Sequence, residues 1–297
     1  MPWLQLRIDS SRDKAPIAED ALLDSGSLAV TLEDNANQPI FEPQLGETPL
    51  WRETRVTGLY EADIDTKTTL KNIQESYHQQ AGETLDSAVW RILEDKDWER
   101  EWMSHYHPIQ CADNLWICPS WTPPPDPNAV NLLLDPGLAF GTGTHPTTFL
   151  CLQWLAEQKL DGQNVIDYGC GSGILGIAAL LLGASHATGT DIDPQALLAT
   201  QDNVARNGLE QSQFPAYFPN ACPDQPADTV LANILAGPLV ELAPTLTRRL
   251  KPGGKLCLSG VLRTQRNAIV AAYEENIIID DIREKEEWIC VTGTARS

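Results

Sequence analysis

Hydrophobic residues along this chain change their period several times, and each change marks an element. Near the start Leu4, Leu6 and Ile8 alternate with Trp3, Gln5 and Arg7, the pattern of a strand with one buried face. Ile17, Ala21 and Leu22 then share one helical face, and Gly26 is placed to end that helix. Period two returns at Leu28, Val30 and Leu32. From Glu33 to Pro49 the chain is rich in Pro, Asn and acid and reads as a long loop. A strand fits Thr54–Tyr60, a helix carries Leu70, Ile73 and Tyr77 at i, i+3, i+7, and Ala88–Leu93 is a last strand. The order β-α-β-β-α-β is that of a small ferredoxin-like α+β sandwich, and it contains no titratable cluster and no glycine-rich loop.

Glu94–His107 is charged, with Trp98, Trp102 and Tyr106 at i, i+4, i+8, which lines the three rings along one helix face. This is read as a linker helix packing its aromatic stripe on a neighbour, with a substrate-binding patch as the alternative. His105 and His107 have no Cys or His at metal-ligand spacing. A short strand at Leu115–Cys118, a Pro-rich turn at Pro119–Pro127 and an apolar run at Asn131–Leu134 follow.

Beyond residue 160 strands and helices alternate. A strand over 163–168 leads to a helix over 173–182, then a strand over 186–191 and a helix over 194–206. Asp193 is placed to cap that last helix, with Pro194 at its first position and Gly208 past its end. A strand at Thr229–Leu231 precedes a helix whose stripe is Leu239, Leu242, Leu246 and Leu250. Lys251-Pro252-Gly253-Gly254 ends that helix, Lys255–Ser259 is the next strand, and one more helix and strands over 277–283 and 287–292 finish the chain. Such alternation indicates a doubly wound, mostly parallel sheet, whose ligands lie at the carboxyl ends of the strands.

Composition narrows the partners. The net charge is −20, with 41 acids against 21 Lys and Arg in 297 residues, which argues against binding nucleic acid through its phosphates. Half of that charge falls in residues 1–100, where 20 acids face 10 bases, so the first third is the more densely acidic part. A solvated surface accounts for this, and so does docking of a basic protein. With no stretch near ~18 consecutive apolar residues and no signal-peptide pattern, the sequence points to a soluble, cytoplasmic protein with no membrane partner. The 7 cysteines are odd in number, scattered, and include no CxxC pair. They read as buried free thiols in a reducing compartment, and their spacing suggests neither a metal site nor a disulfide framework.

Candidate chemistry concentrates in Val165–Gly176, VIDYGCGSGILG. Gly171–Gly176 is a GxGxxG with Asp191 about twenty residues on, which alone supports a dinucleotide-binding turn. The glycines, however, begin at Gly169, directly after Asp167-Tyr168 at a strand end. That DxGxGxG form resembles the motif of S-adenosylmethionine (AdoMet)-dependent methyltransferases. Asp191, at the tip of the second strand, would then accept the ribose hydroxyls. Upstream, Asp135–Thr148 (DPGLAFGTGTHPTT) is rich in glycine and threonine, and Pro146 suits the first turn of a helix.

Four stretches together resemble the ribosomal protein L11 methyltransferase family (the PrmA type), and the resemblance runs over nearly the whole chain. They are LDPGLAFGTGTHPTT (Leu134–Thr148), VIDYGCGSGILGIAA (Val165–Ala179), GTDIDPQAL (Gly189–Leu197) and LANILAGPL (Leu231–Leu239). Gln38–Trp51 and the linker tryptophans also look like that family. Tyr168, where small residues are common, and Gly176, where Ala is common, depart from its pattern. The resemblance implies a Rossmann-like class I methyltransferase sheet, doubly wound with an antiparallel last strand, behind the small α+β domain. It implies a substrate-recognition domain over residues 1–93, a linker helix and hinge over 94–110, and an AdoMet-dependent methyltransferase domain over 111–297. The cofactor-binding residues carried over are Thr148, Gly169, Gly171, Gly173, Asp191 and Asn233, with no metal. The implied reaction is N-methylation of lysine ε-amines and the N-terminal α-amine of a basic ribosomal protein to the trimethyl state.

Asn233 is the candidate catalytic residue. It stands where amine methyltransferases often place Asn-Pro-Pro-aromatic, although here the tetrapeptide is Asn233-Ile234-Leu235-Ala236. Its amide oxygen could accept an N–H of the incoming amine, or Asn233 could cap the helix beginning near Pro238. His145 could approach the substrate amine or serve as a loop hydrogen-bonding residue. Competing functions are methylation of another protein or a small amine, an NAD-linked oxidoreductase, and a non-catalytic AdoMet-binding module.

Overall fold

The computed structural model describes residues 3–40, 48–85, 87–94, 106–135 and 143–297. The aromatic stripe of the connector at Trp98 and Trp102, and most of the Gly/Thr loop, lie outside them. The chain divides into two compact units, Met1–Met103 and Ser104–Ser297, at a boundary inside the 94–110 segment.

In the first unit β1 (Trp3–Ser11), β2 (Ala29–Asp34), β3 (Glu53–Glu61) and β4 (Ala88–Leu93) form an antiparallel sheet in the order β2-β3-β1-β4. Helices Ala15–Asp24 and Thr66–Ala81 complete the β-α-β-β-α-β order. The inward residues of the alternating strands, Leu6, Ile8 and Val56, pack with Leu22, Ile73 and Tyr77 of the helices. The first helix closes through Gly26, whose φ of +90° lets its N–H reach Leu23 O and Ser27 N–H reach Leu22 O. Asp65 caps the second helix, accepting from the Lys67 and Thr68 N–H groups, and Gly82 ends it at φ +72°.

The second unit holds a three-stranded sheet, β5 (Ile109–Ala112), β6 (Leu115–Cys118) and β7 (Val130–Leu133), and a seven-stranded one. The larger sheet comprises β8 (Asn164–Tyr168), β9 (His186–Thr190), β10 (Ala216–Tyr217), β11 (Ala227–Asn233), β12 (Leu250–Leu262), β13 (Ile277–Lys285) and β14 (Trp288–Ala295). Their order is β10-β9-β8-β11-β12-β14-β13, parallel except for β14, which runs antiparallel to both β12 and β13. Period two divides the core between the faces of this sheet. Val165, Leu231 and Cys257 enter one cluster, while their neighbours Ile166, Val230, Leu256 and Leu258 enter the other. Among the described residues no helix is long and apolar enough to cross a membrane.

The helix Pro194–Arg206 has the bounds its caps foretold, with Asp193 accepting from Gln195 N–H. Two elements differ from the sequence reading. The leucine stripe 239–250 is not one helix but two, Ala236–Glu241 and Ala243–Arg248, because Pro244 lacks an N–H and starts a new first turn. Leu250 already belongs to β12, which passes through Lys251–Gly254 with a register shift before pairing Lys255 with Thr229. The strands β5 and β10 were not foreseen; β10 has 2 residues, too few to display a period.

Gly176, in helix Ile174–Leu181, has a packing reason. A Cβ there would stand 2.2 Å from Cζ of Phe214, whose ring is fully buried. The usual gain of about 1 kcal/mol from replacing a helical glycine by alanine is therefore opposed by overpacking of roughly 1–3 kcal/mol. Gly176→Ala should lower the unfolding free energy in denaturant titrations, and in a Phe214→Leu background the same change should become neutral or stabilising. An additive double-mutant cycle would contradict this coupling.

Candidate active site

The strand order reverses at β8, which has β9 on one side and β11 on the other, and a crevice opens there at the carboxyl ends. Register places the strand ends side by side. Tyr168 pairs with Thr190 of β9 and with Ala232 of β11. The next residues, Asp191, Gly169 and Asn233, thus form one row across three strands. At the usual ~4.8 Å between strands, Asp191 and Asn233 stand about 10 Å apart along that row.

The turn after β8 is built from left-handed glycines, with φ +77° at Gly169, +55° at Gly171 and +79° at Gly173. Gly169 N–H and Cys170 N–H both donate to Thr190 O, and Gly173 N–H donates to Cys170 O. Close approach also demands glycine, since a Cβ on Gly169 would meet Cγ2 of Ile234 at 2.3 Å. On its other side Ile234 is gripped by Gly260, where a Cβ would strike Ile234 O at 2.3 Å.

Beneath the turn lies Asp167, 1% exposed, whose carboxylate accepts the Gly176 N–H at 2.9 Å. Burial pushes its pKa from 3.8 up to about 7, against the pull of that hydrogen bond and with a small addition from Asp191. Asp191 accepts Gly171 N–H at 2.9 Å on one oxygen and Asp193 N–H at 3.0 Å on the other. A carboxylate has about four acceptor positions, so two remain for a ligand.

Two further residues, absent from the sequence-based site, hold the turn. Thr200 Oγ1 donates to Gly171 O at 3.0 Å, and Asn203 Nδ2 donates to Ser172 O at 2.8 Å. Both are buried polar residues of the helix Pro194–Arg206, and their i, i+3 spacing on an otherwise apolar face was the available signal. One turn on, Asn207 accepts Leu133 N–H and donates to Leu133 O, standing in for a strand at the edge of β7.

On the other side of the crevice the helix Pro146–Ala156 is capped by His145, whose Nδ1 accepts from Thr147 N–H. Its ring packs edge-on against Trp288 at 4.8 Å, and burial lowers its pKa. Lys285 Nζ sits 4.5 Å over the Phe149 ring, and Arg283 makes a two-pronged pair with Glu157, which ties this helix to the last hairpin. The helix thereby presents Thr148, fully buried, to the end of β11. Asn233 Nδ2 donates to Thr148 Oγ1 at 3.2 Å, while the buried Asn233 Oδ1 has no hydrogen-bond partner. Leu235, not Asn233, stands at the N-cap of the following helix, so the capping alternative does not hold. Exposed apolar residues, Ile192 just after Asp191, Phe218 just after β10 and Leu235 near Asn233, follow the strand ends.

The structure thus brings Thr148 to Asn233, and Gly171 to Asp191, and sets Gly169 between Asp191 and Asn233. It also groups three thiols whose distant positions gave no hint of a cluster. Cys151, Cys257 and Cys290, all fully buried, converge beneath Thr148.

A seven-stranded sheet with one antiparallel strand, a left-handed glycine turn and a carboxylate at the tip of the next strand define a class I methyltransferase. The sequence profile of the ribosomal protein L11 methyltransferase (PrmA) family matches residues 2–296, and the chain belongs to that family. It is 65% identical to the ribosomal protein L11 methyltransferase of Teredinibacter turnerae, over 100% of this chain and 98% of that protein. It is 64% identical to that of Saccharophagus degradans, over 99% of each. The crystal structure of the ribosomal protein L11 methylase from Lactobacillus delbrueckii subsp. bulgaricus is similar with a TM-score of 0.60 at 34% identity, covering 65% of this chain and all of that one.

The Asp167 shift has a measurable sign. Its carboxyl is held protonated in the fold up to about pH 7 but ionises near 3.8 when exposed, so the native state binds the extra proton between those values. The stability this supplies is complete below pH 3.8 and is lost as pH rises to about 7. Asp167→Asn keeps an acceptor for Gly176 N–H and removes the titration. From pH 4 to pH 8 the variant should gain on the order of 4 kcal/mol of unfolding free energy relative to wild type. A difference independent of pH would refute this.

Proposed function

We propose that this chain uses AdoMet to methylate lysine ε-amines and the N-terminal α-amine of ribosomal protein L11 to the trimethyl state, in the cytoplasm. The observation that carries the reading is the buried, unpartnered Oδ1 of Asn233 at the end of the row that begins at Asp191. AdoMet supplies an electrophilic methyl on a sulfonium. Asp191 has two acceptor positions left for ribose hydroxyls, and Ile192 offers an apolar face for the base. Gly169, Gly171 and Gly173 leave room along the turn for the amino-acid tail.

Thr148 fixes the Asn233 amide by taking its N–H, and Oδ1 is left without a partner. Oδ1 accepts one N–H of a neutral substrate amine and so aims its lone pair at the methyl. Alignment is what such a displacement chiefly needs, worth about 7–11 kcal/mol. A lysine amine, with an ordinary pKa near 10.4, reaches the neutral form more readily where burial disfavours its charge. The first unit recognises the substrate, and the −10 carried by residues 1–100 steers a basic protein toward it.

Asn233→Ala should lower kcat by about 100-fold or more, the scale of a lost orienting contact, with the AdoMet Kd unchanged within a few-fold by calorimetry. Equal losses in both would make Asn233 a cofactor ligand only. Labelled AdoMet incubated with unmethylated ribosomal proteins should mark L11 as one band. Label in a small molecule would overturn the substrate assignment. Added salt should raise KM for the protein substrate and leave kcat unchanged.

A further inference from the structure

Three elements each send one sulfur to a single point in the core. Cys151 comes from the helix Pro146–Ala156, Cys257 from β12 and Cys290 from β14, and all three are 0% exposed. Their Sγ atoms lie within 4.8 Å of one another, and Cys257 and Cys290 are 3.4 Å apart. Three sulfurs bound to zinc at ~2.3 Å in a tetrahedral site stand roughly 3.8 Å from each other, a value inside that range. The strand geometry makes the convergence specific. Cys257 pairs with Thr292, so Cys290, two residues away, faces the same side, toward the helix.

A hydroxyl completes the donor set. Ser259 follows Cys257 by two residues and shares its face; it is fully buried, and its hydroxyl lies against the Cys151 thiol. Ser259 Oγ donates its proton to Ile289 O at 3.0 Å, which leaves oxygen lone pairs for a fourth ligand position.

We propose that Cys151, Cys257 and Cys290 form a buried three-thiolate site for one thiophilic divalent metal ion of the zinc type, with Ser259 as the neutral fourth donor. Binding releases the three thiol protons and leaves a net charge of −1 on the site. With no solvent path to the sulfurs, the ion enters as the helix docks during folding and leaves slowly. Its role is structural. It joins β12 and β14 to the helix that carries Thr148 three residues before Cys151, and so holds Thr148 beside Asn233.

The test is to refold the full chain from guanidinium under reducing conditions, with and without one equivalent of Zn(II), and to dialyse it extensively. Metal is then counted by mass spectrometry and melting followed by circular dichroism. Wild type should retain one ion per chain and melt roughly 5 °C or more higher when loaded. Cys257→Ala and Cys290→Ala should retain less than a tenth as much, while Cys222→Ala, at a partly exposed thiol elsewhere, should match wild type. Co(II) in place of Zn(II) should give wild type the sulfur-to-metal charge-transfer band and tetrahedral d–d bands, a readout that holds even if a variant fails to fold. A wild-type chain with seven free thiols, no retained ion and an unchanged melt would overturn the proposal. So would equal retention by Cys257→Ala, or an isolated protein with five free thiols, which would signify a Cys257–Cys290 disulfide.

Discussion

A carboxyl group almost without access to water ties the end of β8 to the first turn of the helix behind it. Asp167 has the Gly176 amide as its hydrogen-bond donor, and the glycine turn between them takes its path because both ends are fixed. The contacts on this side of the crevice hang from that loop. Gly171 N–H reaches Asp191, Thr190 O accepts two amides of the turn, and Thr200 and Asn203 hold its carbonyls from the next helix. Burial raises the proton affinity of Asp167 in the same place where the turn needs an acceptor, so the tie is made against a desolvation cost.

The opposite side of the crevice is organised differently. Thr148 and Asn233 lie 85 residues apart in sequence and meet because a helix capped by His145 is fastened to the last hairpin. That fastening uses a ring contact at His145, a cation over the Phe149 ring and a two-pronged ion pair at Glu157, so it runs from the helix's N-cap to its C-cap. The thiol cluster lies on its inner side. The two sides of the crevice are therefore held by different sets of polar contacts over one shared apolar core, in which Leu150–Leu155 and Ile174–Ala178 pack together.

Much of this was legible in the sequence. Alternation at Leu4–Ile8, the cap Asp193 with Pro194, and the glycines after Asp167 are local signals, and the elements they mark appear within a residue or two of expectation. The family assignment followed from four local motifs. What was hidden has a common cause. Two-residue β10 is too short to have a period, and the leucine stripe 239–250 concealed a break because its spacing continues across Pro244. Thr200, Asn203 and the three thiols owe their roles to neighbours brought by topology; the i, i+3 spacing of Thr200 and Asn203 marks a polar break in an apolar face but not what it meets, and the thiols have no spacing signal at all. Residues 136–142, where much of the Gly/Thr motif lies, are outside the described structure.

Ile234 is enclosed by two positions that cannot carry a side chain, Gly169 in the glycine turn and Gly260 in β12. The fit is glycine backbone against the Ile234 side chain on one flank and glycine backbone against the Ile234 main chain on the other. The two flanks of the crevice are consequently coupled in size. The turn itself cannot be trimmed to widen the crevice, because its residue nearest Ile234 is already glycine. Any widening between these two strand ends would have to begin at Ile234, whose Cγ2 is the side-chain atom that meets the turn.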